Sequence, residues 1–255
     1  MRKISYVGAI AEALRTSLAE DPRVSLVGSY VLGLGPKRVL MDPIRAEFPD
    51  RIYDPPISEA AIVSIGAGAA MAGARPFVDI GTGSFTYVGW SPLVNEAAVA
   101  CHMSNGTLRV PVVYHILHGL RGGGAAQHSH SPQAMLWNAA GLEIVLPSSP
   151  YDVKGLIRSA IKSDNPTMFV NHARLMDIEG DVPEEDYTIP FGKADIKRPG
   201  RDVTVIATSY VVQTALAAAE TLAAEGIDVE VLDPRTLVPL DQDMILQSVG
   251  RTGRL

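Results

Sequence analysis

The chain has 255 residues, 47% of them hydrophobic and 20% charged, with a formal net charge of −6. That length suffices for one large domain or two modest ones, each with its own core. The acidic balance argues against a nucleic-acid partner, because phosphate binding requires a basic face.

Cys101 is the only cysteine, so no internal disulfide can form and a reducing compartment is expected. Between Met1 and Leu14, Glu12 interrupts the only apolar stretch, which does not read as a secretory signal. No apolar run reaches the roughly 18 residues a membrane span requires, and none is expected. A cytoplasmic location, or an equivalent matrix, follows as the expectation.

Along the chain, Tyr6 to Leu18 has helical periodicity, and Val24 to Val27 reads as a short strand ending at Gly28. A helix begins at Ser58, a strand runs from Phe77 to Ile80, and a helix spans Leu93 to Met103. Strands follow at Val110 to His115, Glu143 to Leu146 and Met168 to Val170, with a helix from Tyr151 to Ser163 between the last two. Continuous apolar strands alternating with helices predict an α/β domain around a parallel sheet covered on both faces. We place it at residues 1–180. From 181 to 201 Asp, Glu, Pro and Lys dominate, which reads as a linker. Beyond it, strands at Val203 to Ala207 and Val229 to Leu232 alternate with helices at Val211 to Ala224 and Met244 to Val249. Residues 202–255 thus read as the start of a second α/β domain, expected to continue further.

Three segments can carry chemistry. In Pro55-Pro56-Ile57-Ser58-Glu59 the prolines fix an extended approach, Ser58 can cap the next helix, and Glu59 falls in its first turn. Taken alone, Glu59 there serves the helix dipole, worth about 0.3–1 kcal/mol. Gly66, Gly68 and Gly73 each cost that helix about 1 kcal/mol relative to alanine, which points to close approach of another backbone or subunit. The loop from Leu117 to Pro132 carries four glycines and then Gln127-His128-Ser129-His130-Ser131. It lies at the carboxyl end of a strand, where ligands bind in α/β sheets, or it is a flexible surface loop with polar histidines. Phe85, Tyr87 and Trp90 either pack in the core or offer a face to a planar heterocycle. The chain has no P-loop, no G-x-S-x-G elbow and no HExxH helix.

Taken in order, ISEAAIVSIGAGAAMAG, AAQHS, LPSSPYDVKGLIRSAIKSDNP and EVLDPRTLVPLD resemble the beta subunits of thiamine-diphosphate-dependent 2-oxo-acid dehydrogenases of the pyruvate, branched-chain and acetoin types. The resemblance implies a transketolase-like pyrimidine-binding domain followed by a transketolase carboxyl-terminal-like domain. It implies that Glu59 exchanges a proton with the cofactor's aminopyrimidine ring, that Ile57, Gly81 and Phe85 line that ring, and that His128 assists transfer to a lipoyl group. It also implies a potassium ion held by carbonyls at Val112, Ala160, Ile161 and Asn165.

The family binds Mg²⁺ and diphosphate with a GDG motif, which this chain lacks. An alpha-type chain is therefore expected to hold the metal and diphosphate, in an α2β2 heterotetramer, with a lipoyl acyltransferase core as a further partner. Against the family pattern, Ser29-Tyr30 replaces Glu-Asp, Gly81 a larger residue, and Ser84 an acidic or amide residue. His115 replaces arginine, Leu117 proline and Ser163 aspartate. These departures imply an altered substrate side. The competing readings are the carboxyl half of a split transketolase and a non-catalytic subunit that kept the fold.

Overall fold

The computed structural model describes residues 1–28, 39–120 and 122–255. Chain order begins with β1 (Arg2–Ser5), α1 (Tyr6–Glu20), β2 (Val24–Val27), α2 (Asp42–Glu47), β3 (Ile52–Tyr53), α3 (Glu59–Met71) and β4 (Arg75–Thr82). A 3-10 turn at Gly83–Tyr87 and a π-helical turn at Pro92–Ala97 lead to α4 (Ala100–Met103). Then come β5 (Val113–His118), α5 (Gln133–Trp137), β6 (Glu143–Val145), α6 (Pro150–Lys162), β7 (Thr167–His172) and β8 (Glu179–Val182). The last elements are β9 (Asp195–Arg198), β10 (Val203–Ile206), α7 (Tyr210–Ala223), β11 (Val229–Asp233), β12 (Thr236–Val238) and α8 (Gln242–Thr252).

The main sheet has seven strands in the order β12-β6-β7-β5-β4-β2-β3, all parallel except β12 at one edge. Its strands send alternate residues to opposite faces, the period-2 consequence of the pleat. Phe77, Val113, Val145 and Phe169 pack under α1 and α6, whereas Val78, Tyr114, Ile144 and Met168 pack under α3 and the 92–103 segment. Burial on both faces is why these strands read as unbroken apolar runs. On the first face, α1 starts where the Ser5 hydroxyl accepts from the Gly8 amide, and it buries Ile10, Leu14 and Leu18.

The second sheet is small, with β10 parallel to β11 and β9 antiparallel to β11. Its helix α7 buries Val212, Ala215 and Ala219 against Val229 and Val231. The chain then returns, and β12 joins the main sheet beside β6. Among the described residues no helix is long and apolar enough to cross a membrane.

Several expectations shift. The strand expected at Val110 to His115 is β5, starting at Val113, because Pro111 has no N–H for the ladder and Val112 bonds back to the Val110 carbonyl. The helix expected from Leu93 to Met103 is divided, since Pro92 opens a turn in which the Ala98 amide reaches the Leu93 carbonyl. Residues 181–201, read as a linker, include the end of β8 and all of β9, whose short half-buried polar pattern left no apolar signal. Ser58 occupies the N-cap position of α3, but its hydroxyl caps nothing. Ser29 and Tyr30 lie outside the described residues.

Candidate active site at the carboxyl ends of β4 and β5

Strand β4 ends with a bulge between Asp79 and Gly81. Gly81 takes φ +93, and its amide donates to the Asp79 carboxylate at 3.1 Å. Such a φ favours glycine. The kink delivers the chain into the turn that carries Ser84, Phe85 and Tyr87.

The loop after β5 folds back onto this turn. The Ser84 hydroxyl donates to the Gln127 carbonyl. Phe85 meets the His128 ring edge-on, with centroids 5.4 Å apart and planes at 76°. Two residues further along both segments, Tyr87 meets His130 in the same way at 5.6 Å, and the phenol lies 3.4 Å from His130 Nδ1. Gly83 makes the approach possible, since a Cβ there would stand 2.9 Å from the His130 carbonyl oxygen.

Helix α3 starts beside the end of the same segment. A Cβ on Gly89 would fall 3.3 Å from the Glu59 carbonyl oxygen and 2.8 Å from a Val63 methyl. The Tyr114 phenol, from β5, donates to the Val63 carbonyl at 3.0 Å and fixes the helix against the sheet. Glu59 is 9% exposed. Among the described residues its side chain has no hydrogen bond or ion pair. Burying a carboxyl without a partner is costly. The structure therefore gathers Gly81, Phe85 and His128 around one turn and sets the start of Glu59's helix against its far end. Ile57 is 68% exposed on the extended approach.

The residues named for potassium lie elsewhere: Val112 just before β5, Ala160 and Ile161 in the last turn of α6, and Asn165 between α6 and β7. The carbonyls of Ile161 and Ser163 accept from one Arg75 guanidinium nitrogen, at 3.0 and 2.8 Å. The Val112 carbonyl accepts from the Thr167 amide, the Ala160 carbonyl from the Ser163 amide, and the Asn165 side chain donates to Glu143. Of the four named carbonyls, only that of Ile161 meets a cationic side chain among the described residues, the Arg75 guanidinium.

His115 was read as part of an altered substrate side; it is a core residue. Its ring is fully buried, 3.0 Å from Asp79 Oδ1 and 2.9 Å from Asn171 Nδ2, and Asn171 in turn accepts from the Tyr6 phenol at 2.5 Å. Sequence reasoning missed a second histidine pair, His118 with His172, together with Ser209 and Tyr210. These residues come from three distant segments, and no spacing links them.

Residues 2–177 match the transketolase pyrimidine-binding domain, and residues 192–255 match the transketolase C-terminal domain. Fold and site together define a transketolase-like pyrimidine-binding chain. Among curated proteins, the acetoin:2,6-dichlorophenolindophenol oxidoreductase subunit beta of Cupriavidus necator is 39% identical, over all of this chain and 78% of its own length. The 2-oxoisovalerate dehydrogenase subunit beta of Bacillus subtilis is 38% identical over all of this chain and 79% of its own. The pyruvate dehydrogenase E1 component subunit beta of Staphylococcus aureus is 36% identical with the same coverage. A split-gene transketolase solved as an inactive beta4 tetramer superposes with a TM-score of 0.80 at 21% identity, over 98% of this chain and 77% of that one, which speaks for the fold alone. The chain belongs to the family of E1 beta subunits of 2-oxo-acid dehydrogenases.

Proposed function

We propose that this chain activates thiamine diphosphate in a 2-oxo-acid dehydrogenase E1 component, with Glu59 as the activating carboxyl. The carrying observation is a carboxyl at the start of α3, 9% exposed and without a partner among the described residues. The residues present fit an aminopyrimidine ring: a proton-sharing carboxyl, the aromatic face of Phe85, and Gly81 with no side chain to obstruct it. When bound, the cofactor supplies the centre that stabilises the negative charge left as a 2-oxo acid loses CO₂.

Glu59 would hold a proton against the pyrimidine nitrogen and return it. Its buried position keeps that exchange from being quenched by water. His128, braced by Phe85, would hold or deliver a proton while the acyl group passes to a lipoyl carrier. Imidazole is suited to exchange near neutral pH. Ile57, on the exposed approach, would cover the ring once a partner chain closes over it.

The chain has no GDG, so in this reading Mg²⁺ and the diphosphate belong to an alpha-type subunit, and the assembly contains two chains of each kind. A potassium ion on Val112, Ala160, Ile161 and Asn165 would have to share the Ile161 carbonyl with Arg75. A cytoplasmic setting and a lipoyl acyltransferase core complete the reading. Identities of 36–39% over the whole chain to dehydrogenase subunits favour it over sugar-phosphate chemistry.

The test is co-expression with an alpha-type chain and a screen of 2-oxo acids and acetoin with an artificial electron acceptor. Turnover is expected with one or more of them, and Glu59→Gln should lower it by roughly 100-fold or more. Unchanged turnover in the Glu59→Gln complex would overturn the activating role.

A further inference from the structure

One group of polar side chains, built around the buried His118 and Ser209, lies beside the site yet has no part in the chemistry above. His118 is the last residue of β5 and is 6% exposed. Its Nδ1 lies 2.9 Å from Gln133 Nε2 and 3.1 Å from the Ser131 hydroxyl, and the same Gln133 nitrogen stands 3.3 Å from Nε2. Its Nε2 lies 3.3 Å from the hydroxyl of Ser209, a buried residue just before α7 with φ 56. Ser131 and Gln133 stand at the far end of the loop that leaves β5 at Gly119 and carries His128.

The near end of that loop is held by a second ring. His172, at the end of β7, meets His118 edge-on, with centroids 4.8 Å apart. A Cβ on Gly119 would fall 2.0 Å from His172 Nε2, so the loop leaves the sheet directly against that imidazole. Tyr210 stacks on His172 at 4.9 Å, the Arg174 guanidinium covers Tyr210, and the Arg174 amide donates to His172 Nδ1.

If Gln133 donates to Nδ1 of His118, that nitrogen carries no proton, and Nε2–H is left to donate to Ser209. One neutral imidazole thereby grips the loop with one nitrogen and the second α/β unit with the other. A protonated ring would lose its acceptor and with it the Gln133 bond. Burial, with His172 adjacent, holds the His118 pKa down to about 3 and keeps the ring in its accepting form.

We propose that His118 is a positioning residue: it pins the loop carrying His128 to Ser209 of the second α/β unit, with His172 and Tyr210 as its backing. The consequence for catalysis rests on the role given to His128 above; the mechanical part does not.

The experiment uses the full chain assembled with its alpha-type partner. Amide hydrogen exchange across Gly122 to Pro132 should accelerate at least ten-fold in His118→Leu and in Gln133→Ala, with exchange in β4 and β7 unchanged. Gln133 is only half-buried, so that variant reports on the loop even if His118→Leu fails to fold. His118→Asn, which can still accept from Gln133, should restore the slow exchange. In the same complexes, acyl transfer should slow ten-fold or more in the loosened variants, while the thiamine diphosphate requirement stays within two-fold and His118→Asn recovers the rate. Loop exchange unchanged in both His118→Leu and Gln133→Ala would overturn the proposal. A loosened loop with acyl transfer intact would uphold the pin and instead refute the role given to His128.

Discussion

Phe85 and His128 share one edge-to-face contact at 5.4 Å, and it joins the turn after β4 to the loop after β5. In the proposed function the phenyl ring has two tasks, a face for the pyrimidine and a brace for the imidazole. Removing an aromatic partner of this kind forfeits about 0.5–1.5 kcal/mol. Phe85→Ala should therefore raise the thiamine diphosphate concentration giving half-maximal activity by roughly three- to ten-fold. Its melting temperature should change little, because Phe85 is only partly buried at the rim of the core. If the half-maximal concentration stays fixed while acyl transfer slows, the ring braces His128 and does not meet the cofactor.

Helix α3 gives a pair of opposed predictions. A Cβ on Gly66 would lie 2.5 Å from a Val78 methyl and 3.3 Å from the Tyr114 ring, so Gly66→Ala must push the helix off the sheet. That should cost about 1–3 kcal/mol, read as a lower melting temperature. Gly68 has nothing within 4 Å of its Cβ position. Gly68→Ala should stabilise the isolated chain by up to about 1 kcal/mol through helix propensity. If the open face of α3 receives the alpha-type subunit, the same alanine should weaken association, measured by sedimentation of the mixed chains. Stabilisation of both the chain and the complex would place that interface elsewhere.

The fold could be read from the sequence where burial on both faces of a strand left unbroken apolar runs, as in Met168 to Val170 and Val229 to Leu232. It could not where polar residues form strands. β9 is half-buried DIKR, and β12 is three residues that owe their place to pairing with β6. The motif residues Glu59 and His128 were visible as local signals, and the ring contact between His128 and Phe85 was not. His115 misled because a histidine inside a strand carries no mark that tells a core network from a substrate contact. The pair His118 and His172 left no sequence trace, since the contact exists only once β5 and β7 lie side by side.

His118 also sets an acid limit on stability. Its pKa of about 3 in the folded chain lies below the ordinary 6.5, so the unfolded chain takes up this proton first as pH falls. The stabilisation is complete above about pH 6.5 and is lost progressively down to about pH 3, in total roughly 4–5 kcal/mol. Melting temperatures of the wild type should fall steeply over that window. His118→Asn should flatten the slope, and an equally steep fall in that variant would assign the acid limit to another group.

A carboxylate acts in the opposite sense. Asp233 ends β11 and is fully buried, and its carboxylate accepts from the Ser148 hydroxyl at 2.5 Å and the Arg235 amide at 2.9 Å. Asp152, also fully buried, stays ionised despite desolvation because Lys197 and Arg235 face it at 2.6 and 2.8 Å; Asp195 shares both cations. Burial first, and the negative charge of Asp152 second, push Asp233 up to about 6. Its folded pKa lies above the ordinary 3.8, so the unfolded chain releases this proton first as pH rises. The stability it contributes is whole below about pH 4 and is lost as pH climbs through 6, roughly 3 kcal/mol in all. Asp233→Asn can keep both contacts without a charge: its carbonyl accepts from Arg235, and its amide donates to Ser148, whose hydroxyl turns to Asp152. The variant should therefore melt higher than the wild type at pH 8 and match it near pH 4. A variant that melts lower at every pH would show that Asp233 is held ionised by Lys197, with Asp152 carrying the proton of the pair.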